Sequence, residues 1–153
     1  MAREILRPWA TDHVSVIPDH DAGTGGRVMA VDVDVVSDDE KLDEAVALCA
    51  GAVAELRFDP SQEEAVRAGA SDDEEQLSTL LGADADLIGE CRERARACVA
   101  EHWTEVEALA NELLVHPLLD GTEVPLILAA ATGDPTARAY LASYRAAGPR
   151  RGQ

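Results

Sequence analysis

Residues 69–76 read Gly69-Ala-Ser-Asp-Asp-Glu-Glu-Gln76, and the fold turns on this stretch. It has the form of a helix entrance. Ser71 or Asp72 is expected to cap the first turn by accepting a hydrogen bond from an open backbone N–H. Asp73 then falls inside that turn, where the helix dipole favours a carboxylate. Asp72, Glu74 and Glu75 read as solvated first-turn acids. Two accounts of Asp73 follow. In one it only complements the dipole. In the other it is a metal ligand whose companion ligands come from elsewhere. What faces Asp73 separates the two.

Downstream, Leu77, Leu80 and Leu81 carry a helix to Gly82. Asp84 to Val115 is the longest helical pattern, with Leu87, Ile88, Cys91, Ala95, Cys98, Val99, Val106, Leu109, Leu113 and Leu114 at apolar positions. Glu90 and Arg94 are spaced for an i,i+4 ion pair in the favourable order. His116-Pro117 stops this helix. Asp120-Gly-Thr122 reads as a turn and cap for a helix through Val124, Ile127 and Leu128, with Pro125 tolerated in its first turn. Asp134-Pro135 opens a last helix carrying Tyr140, Leu141 and Tyr144, and residues 148–153 read as a frayed tail.

Upstream, residues 1–10 read as the tail of a helix stopped by Pro8. His13-Val-Ser-Val-Ile-Pro18 alternates and is β-branched, as a short strand does. A glycine-containing loop over 19–26 leads to a second strand over 27–36, with Asp32 and Asp34 on its wet face. Ser37 and the acids after it open a helix through Leu42, Ala45, Val46, Cys49, Val53 and Leu56, broken at Phe58-Asp-Pro60. Gly51 within it costs about 1 kcal/mol relative to Ala, a cost that close approach of another backbone would justify. Residues 61–68 form a polar connection with room for one helical turn. The whole predicts a mainly α fold with a small N-terminal β hairpin or sheet, in one domain over residues 1–147.

The 153 residues are 46% apolar and only 3% aromatic, so Ala, Leu and Val must build the core. A formal charge of -17 at pH 7 repels nucleic acid phosphates and anionic lipid. Three cysteines, Cys49, Cys91 and Cys98, show no C-x-x-C spacing and cannot all pair within one chain. Buried reduced thiols in a cytoplasmic protein are expected. The sequence has no secretory signal pattern, no apolar run near the ~20 residues that span a bilayer, and no G-x-x-x-x-G-K-[ST] loop for ATP.

Four separated segments, in order, resemble the zinc peptidase domain of FtsH-type proteases. His13-Val-Ser-Val-Ile-Pro18 resembles that family's strand ending in Ile-Pro. Leu48-Cys-Ala-Gly-Ala-Val-Ala-Glu55 is similar to its "Leu-x-Ala-Gly-Arg-Ala-Ala-Glu" helix. Gly69-Ala-Ser-Asp-Asp73 is similar to "Gly-Ala-x-Asn-Asp", and Leu118-Leu-Asp-Gly-Thr-Glu-Val124 to "Thr-Leu-Asp-Gly-Glu-Glu-(Val/Ile)". The resemblance implies an FtsH-peptidase-like helical domain and a zinc metallopeptidase chemistry. In that family an H-E-x-x-H helix supplies two His ligands and a Glu general base, and the last Asp of the "Gly-Ala-x-Asn-Asp" motif supplies the third ligand. That Asp falls on Asp73, with Glu55 and Asp72 as groups supporting it. Zinc polarises the scissile carbonyl of a peptide or protein substrate and activates water.

The sequence departs from the family in containing no H-E-x-x-H. Catalytic residues are therefore expected in none of these positions, and the general-base Glu is expected upstream of Met1. Zn2+ is expected in a complete protein and not on this chain alone. Val53 stands where the family has Arg, and Asp72 where it has Asn. The runner-up reading is a non-catalytic interaction module derived from the peptidase fold. A third is an acidic helical protein that mimics nucleic acid or sequesters basic partners.

Other residues read as structural. His102 and Trp103 belong to packing or surface, His116 to a helix C-terminus, and Trp9 and Tyr140 to packing. His13 and His20 flank the first strand at a spacing that matches no common metal site. The edge over 27–35 is either an ordinary blunted edge or one to which an extended substrate adds as a strand. Met1-Ala-Arg-Glu-Ile-Leu6 continues the expected catalytic helix, so Met1 is expected to stand for an internal Val. Sequencing the genomic DNA ahead of codon 1 checks this. In-frame H-E-x-x-H codons are the expected result, and an in-frame stop without them refutes it.

Overall fold

The computed structural model describes residues 11–17, 27–30, 37–82 and 84–148. The helix tail over 1–10 with Trp9, the loop over 19–26 with His20, the strand positions 31–36 with Asp32 and Asp34, and the tail beyond 148 lie outside the described residues. Those described are mainly α-helical, with a small antiparallel sheet. Packing divides the described residues into two compact units, those of one lying within 7–32 and 104–153 and those of the other within 33–103.

In the unit over 33–103, helix α1 spans Asp38–Phe58. Ser37 caps it through a full capping box: its Oγ accepts from the Glu40 N–H at 3.2 Å, and its own N–H donates to Glu40 Oε2 at 2.9 Å. The helix stops before Pro60, as the sequence requires. The polar connection holds more structure than one turn. A 3-10 turn over Pro60–Gln62, begun by Asp59 accepting from the Ser61 N–H, leads into α2 over Glu63–Gly69. Helix α3, Ser71–Leu81, follows almost without a gap.

That continuity corrects the capping expectation. Neither Ser71 nor Asp72 is the cap. Ala70 occupies the cap position without a side-chain hydrogen bond, and its carbonyl accepts from the Glu74 N–H at 2.9 Å. Gly69 closes the preceding helix and does not open the next. Helix α3 ends at Gly82, whose φ of 69° lies in the left-handed region.

Helix α4 spans Ala85–Glu101, capped by Asp84 accepting from the Asp86 and Leu87 N–H groups. The expected long helix is thus two. His102 leaves helical geometry at φ -105°, ψ 28°, and α5 starts at Trp103 and runs to Val115. The apolar stripe continues across the break, so periodicity does not reveal it. The core of this unit is Ala45, Val46, Cys49 and Ala50 of α1, Leu77 of α3, and Cys91, Ala95 and Val99 of α4. Arg94 pairs across to Asp43 of α1 at 3.1 Å, not down its own helix to Glu90 as its spacing suggests. Gly51 is exposed, and a Cβ built there meets nothing within 4 Å, so no close backbone explains it.

In the other unit, β1 (Thr11–Ser15) lies between β2 (Arg27–Ala30) and β3 (Leu118–Asp120), antiparallel to both. Val14 pairs with Val28 on one side and Leu119 on the other. The strand β3 was hidden in a stretch that reads only as a turn. Helix α6 (Glu123–Ala131) and α7 (Pro135–Ala147, capped by Asp134) complete the unit. Its core is Val14, Leu109, Leu119, Val124, Ile127 and Leu141. Tyr140 is no packing anchor; it is 58% exposed.

A polar network stitches this unit. Asp120 Oδ1 accepts from the Thr122 and Glu123 N–H groups at 2.8 and 3.0 Å, and Asp120 Oδ2 accepts from Tyr144 Oη at 2.7 Å. Glu123 is 9% exposed, and its carboxylate accepts from Arg145 Nε at 2.8 Å, while Arg145 Nη1 reaches Glu112 of α5 at 2.8 Å. Removing the guanidinium leaves Glu123 buried with a charge short of partners. Arg145→Ala is therefore expected to cost about 2–3 kcal/mol, less than a fully buried pair because Glu112 stays in contact with water. Denaturant unfolding by circular dichroism measures it, and a loss below 0.5 kcal/mol, roughly the level of a surface pair, would show the network to be ornamental.

Candidate functional site: a groove around Asp73

Asp73 sits in the first turn of α3 and is half-buried, unlike Asp72, Glu74 and Glu75, which are exposed. It lines a groove of about 470 Å³ within the unit over 33–103. The groove is bordered by residues of α1, α2, α3 and α4. Its floor is Leu48, Cys49, Ala52, Val53 and Leu56 of α1, Val66 of α2 and Leu77 of α3. Its charged lining is Asp73 with Glu63, Glu74, Arg67, Arg92 and Arg96.

The arginines are held by carboxylates. Arg92 of α4 donates through Nη2 to both Glu74 oxygens at 2.7 Å, which ties α4 to the first turn of α3. Arg67 bonds Glu63 along α2 at 2.9 Å, and Arg96 pairs with Glu93. These pairs are largely exposed, so each contributes up to about 1 kcal/mol. Their effect is positional: they keep guanidinium groups at the rim of an apolar floor.

Of the predicted site residues Asp73, Glu55 and Asp72, only Asp73 lines this groove. Glu55 is exposed on α1, the solvated one of its two readings, and Asp72 is exposed as well. Val53 is part of the floor. His13 lies on β1 with Nδ1 2.8 Å from Asp12 Oδ2, in the other unit. His116 is exposed just past α5, its N–H donating to the Glu112 carbonyl at 2.7 Å. Among the described residues no three His, Cys, Asp or Glu side chains come together in a way that could hold a metal ion. The described residues therefore do not by themselves fit a zinc centre. Asp73 offers one carboxylate, and zinc takes three or four protein ligands.

Sequence reasoning missed the arginines. The signal was available: Arg92 and Arg96 are four apart, one turn along the same face of α4. Trp103 also proves to have a partner, the Arg57 guanidinium, 4.6 Å from the ring centre.

No helix of the described residues is long and apolar enough to cross a membrane. Compared with models of known protein families and with curated proteins, the sequence matches none.

All three cysteines are free thiols, with Cys49 and Cys91 buried. Burial pushes the Cys49 thiol from an ordinary 9.0 up to about 11; Arg92 pulls it down, and Cys91, Glu74 and Asp73 add to the rise. The unfolded chain loses this proton first, so folding stability present below pH 9.0 is lost as pH rises through about 11. The denaturant midpoint is expected to fall across that window, and to fall less in Cys49→Ala. Equal slopes in the two proteins would mean that the thiol meets water freely through the groove.

Proposed function

We propose that this chain is the helical body of an FtsH-type zinc peptidase fold, acting on peptide or protein segments, and that it contributes one metal ligand, Asp73. The two imidazoles and the general-base carboxylate are not among the described residues, so no hydrolytic step is assigned to them. On its own the chain is a binding body without peptidase activity.

The observation that supports this reading most is the setting of Asp73. A first-turn acid that served only the helix dipole would sit in water, as its neighbours Asp72 and Glu75 do. Asp73 is instead half-buried in a concave site with an apolar floor. Partial burial strengthens a carboxylate's hold on a cation. The order of elements agrees as well: a strand, a hairpin partner, an Ala-rich helix, a short helical connection, and then the Asp73 turn.

Zinc stoichiometry tests the proposal without relying on activity. The chain as given, dialysed against micromolar zinc, is expected to retain none. The same chain extended at residue 1 by a helix bearing H-E-x-x-H is expected to retain one zinc per chain by atomic emission. In the extended chain, Asp73→Ala is expected to weaken zinc at least tenfold, roughly the effect of losing one ligand from a tetrahedral site. Absence of zinc in the extended chain, or retention unchanged by Asp73→Ala, would remove the peptidase reading.

A further inference from the structure

We propose that helix α2 is a flap on the groove of the unit over 33–103, and that the Glu74 carboxylate sets its position: closed while bound to Arg92, open when it joins Ser71 in a helix cap. This is separate from the zinc reading and requires no metal.

A repeated tetrapeptide is the first observation. Ser37-Asp-Asp-Glu40 and Ser71-Asp-Asp-Glu74 are identical, and each falls at the start of a helix. At the first, the capping box is complete and Ser37 is extended, with φ -118° and ψ 160°. At the second, the box is not formed. Ala70 holds the cap position at φ -88°, ψ 10°, without a side-chain hydrogen bond. Ser71 is exposed, and its Oγ donates to the neighbouring Asp72 Oδ1 at a long 3.4 Å. The four residues are the same at both places, so something outside them makes the difference.

Arg92 is the second observation. Both Glu74 carboxylate oxygens accept from its Nη2 at 2.7 Å. The matching carboxylate of Glu40 instead accepts from the Ser37 N–H at 2.9 Å. With Glu74 drawn to α4, helix α3 starts one residue early, and the Glu74 N–H donates to the Ala70 carbonyl. The two arrangements exclude each other at Glu74. They also lie close in free energy. The ion pair is exposed, its side chains 42% and 53% accessible, and such pairs are weak. The box satisfies two open backbone donors.

Forming the box turns Ser71 from helical to extended backbone, as at Ser37. Helix α2 ends at Gly69, two residues earlier, so this turn swings it off the end of α3. Glu63, Val66 and Arg67 of α2 border the groove, and Val66 is its buried side chain. Opening therefore bares one wall of the groove while uncovering one apolar residue. Salt screens an exposed ion pair and acts less on bonds to backbone N–H groups, so rising ionic strength favours the open form.

The test is carbon chemical shifts of the 13C,15N-labelled chain in chelator, which keeps its outcome separate from the zinc proposal. Ser37 supplies the reference for a boxed serine. Ser71 is expected to read as helical in the natural chain and to move toward the Ser37 values in Arg92→Gln. Glu74→Gln, which loses the ion pair but keeps the S-x-x-Q form of the box, is expected to move Ser71 the same way. Alkylation by N-ethylmaleimide, located by mass spectrometry, then reports access to Cys49 on the groove floor. Arg92→Gln is expected to speed it about fivefold, the upper range that an exposed ion pair controls. Arg92 lowers the Cys49 pKa, so its loss alone would slow the reaction, and a rise reports opening. Adding Ser71→Ala is expected to return the rate to that of the natural chain. A Ser71 that stays helical in both variants, or a Cys49 whose rate does not rise or stays raised after Ser71→Ala, would overturn the proposal.

Discussion

The contact on which the unit over 33–103 depends is between α1 and α4, where Ala45 and Ala95 are both fully buried. Alanine fills little space. Two helices that bury it keep a close-packed interior only by approaching closely. Val46, Cys49, Cys91 and Val99 extend that seam, and Leu77 of α3 closes one side of it. A chain with 3% aromatic residues has no large ring with which to fill a wider gap. The closeness of this pair is therefore forced by composition, and the placement of everything else in the unit follows.

The groove is one consequence. Helices α2 and α3 are short and pack end to end, so they cover the α1–α4 pair only in part. The uncovered part of α1 forms an apolar floor, and the charged residues that border it meet across helices. The bifurcated bond from Arg92 Nη2 to Glu74 links α4 to the same turn that carries Asp73. Asp73 and Glu74 thereby both border the groove, Asp73 half-buried and Glu74 more exposed at its rim. A buried thiol, Cys49, sits on the same floor, and burial raises its pKa.

The other unit is held differently. Among its described residues a polar joint accompanies the core, in which the Glu123 carboxylate is nearly enclosed and the Arg145 side chain links it to Glu112. Asp120 serves two masters in that joint, the entrance of α6 through one oxygen and Tyr144 of α7 through the other. The segment Leu118-Leu-Asp-Gly-Thr-Glu-Val124 therefore does structural work in these residues: a strand, a turn, and a charged anchor within seven positions.

Much of this was legible in the sequence, because local physics governs it. The cap at Ser37, the break at Pro60, the stop before Pro117 and the start at Asp134 each depend on a few adjacent residues, and the apolar spacing marks which helix faces are buried. Three features were not legible, since each depends on partners far along the chain. The break at His102 leaves the apolar stripe intact. The strand Leu118–Asp120 exists only because β1 offers it an edge. The arginine rim forms because helices distant in sequence share a border. Residue order alone thus determined a mainly helical protein and marked Asp73 as an acid in a first turn. Only tertiary packing decided that Asp73 is half-buried in a groove while Asp72 and Glu75 face water, because burial of one carboxylate depends on which neighbouring helix covers it.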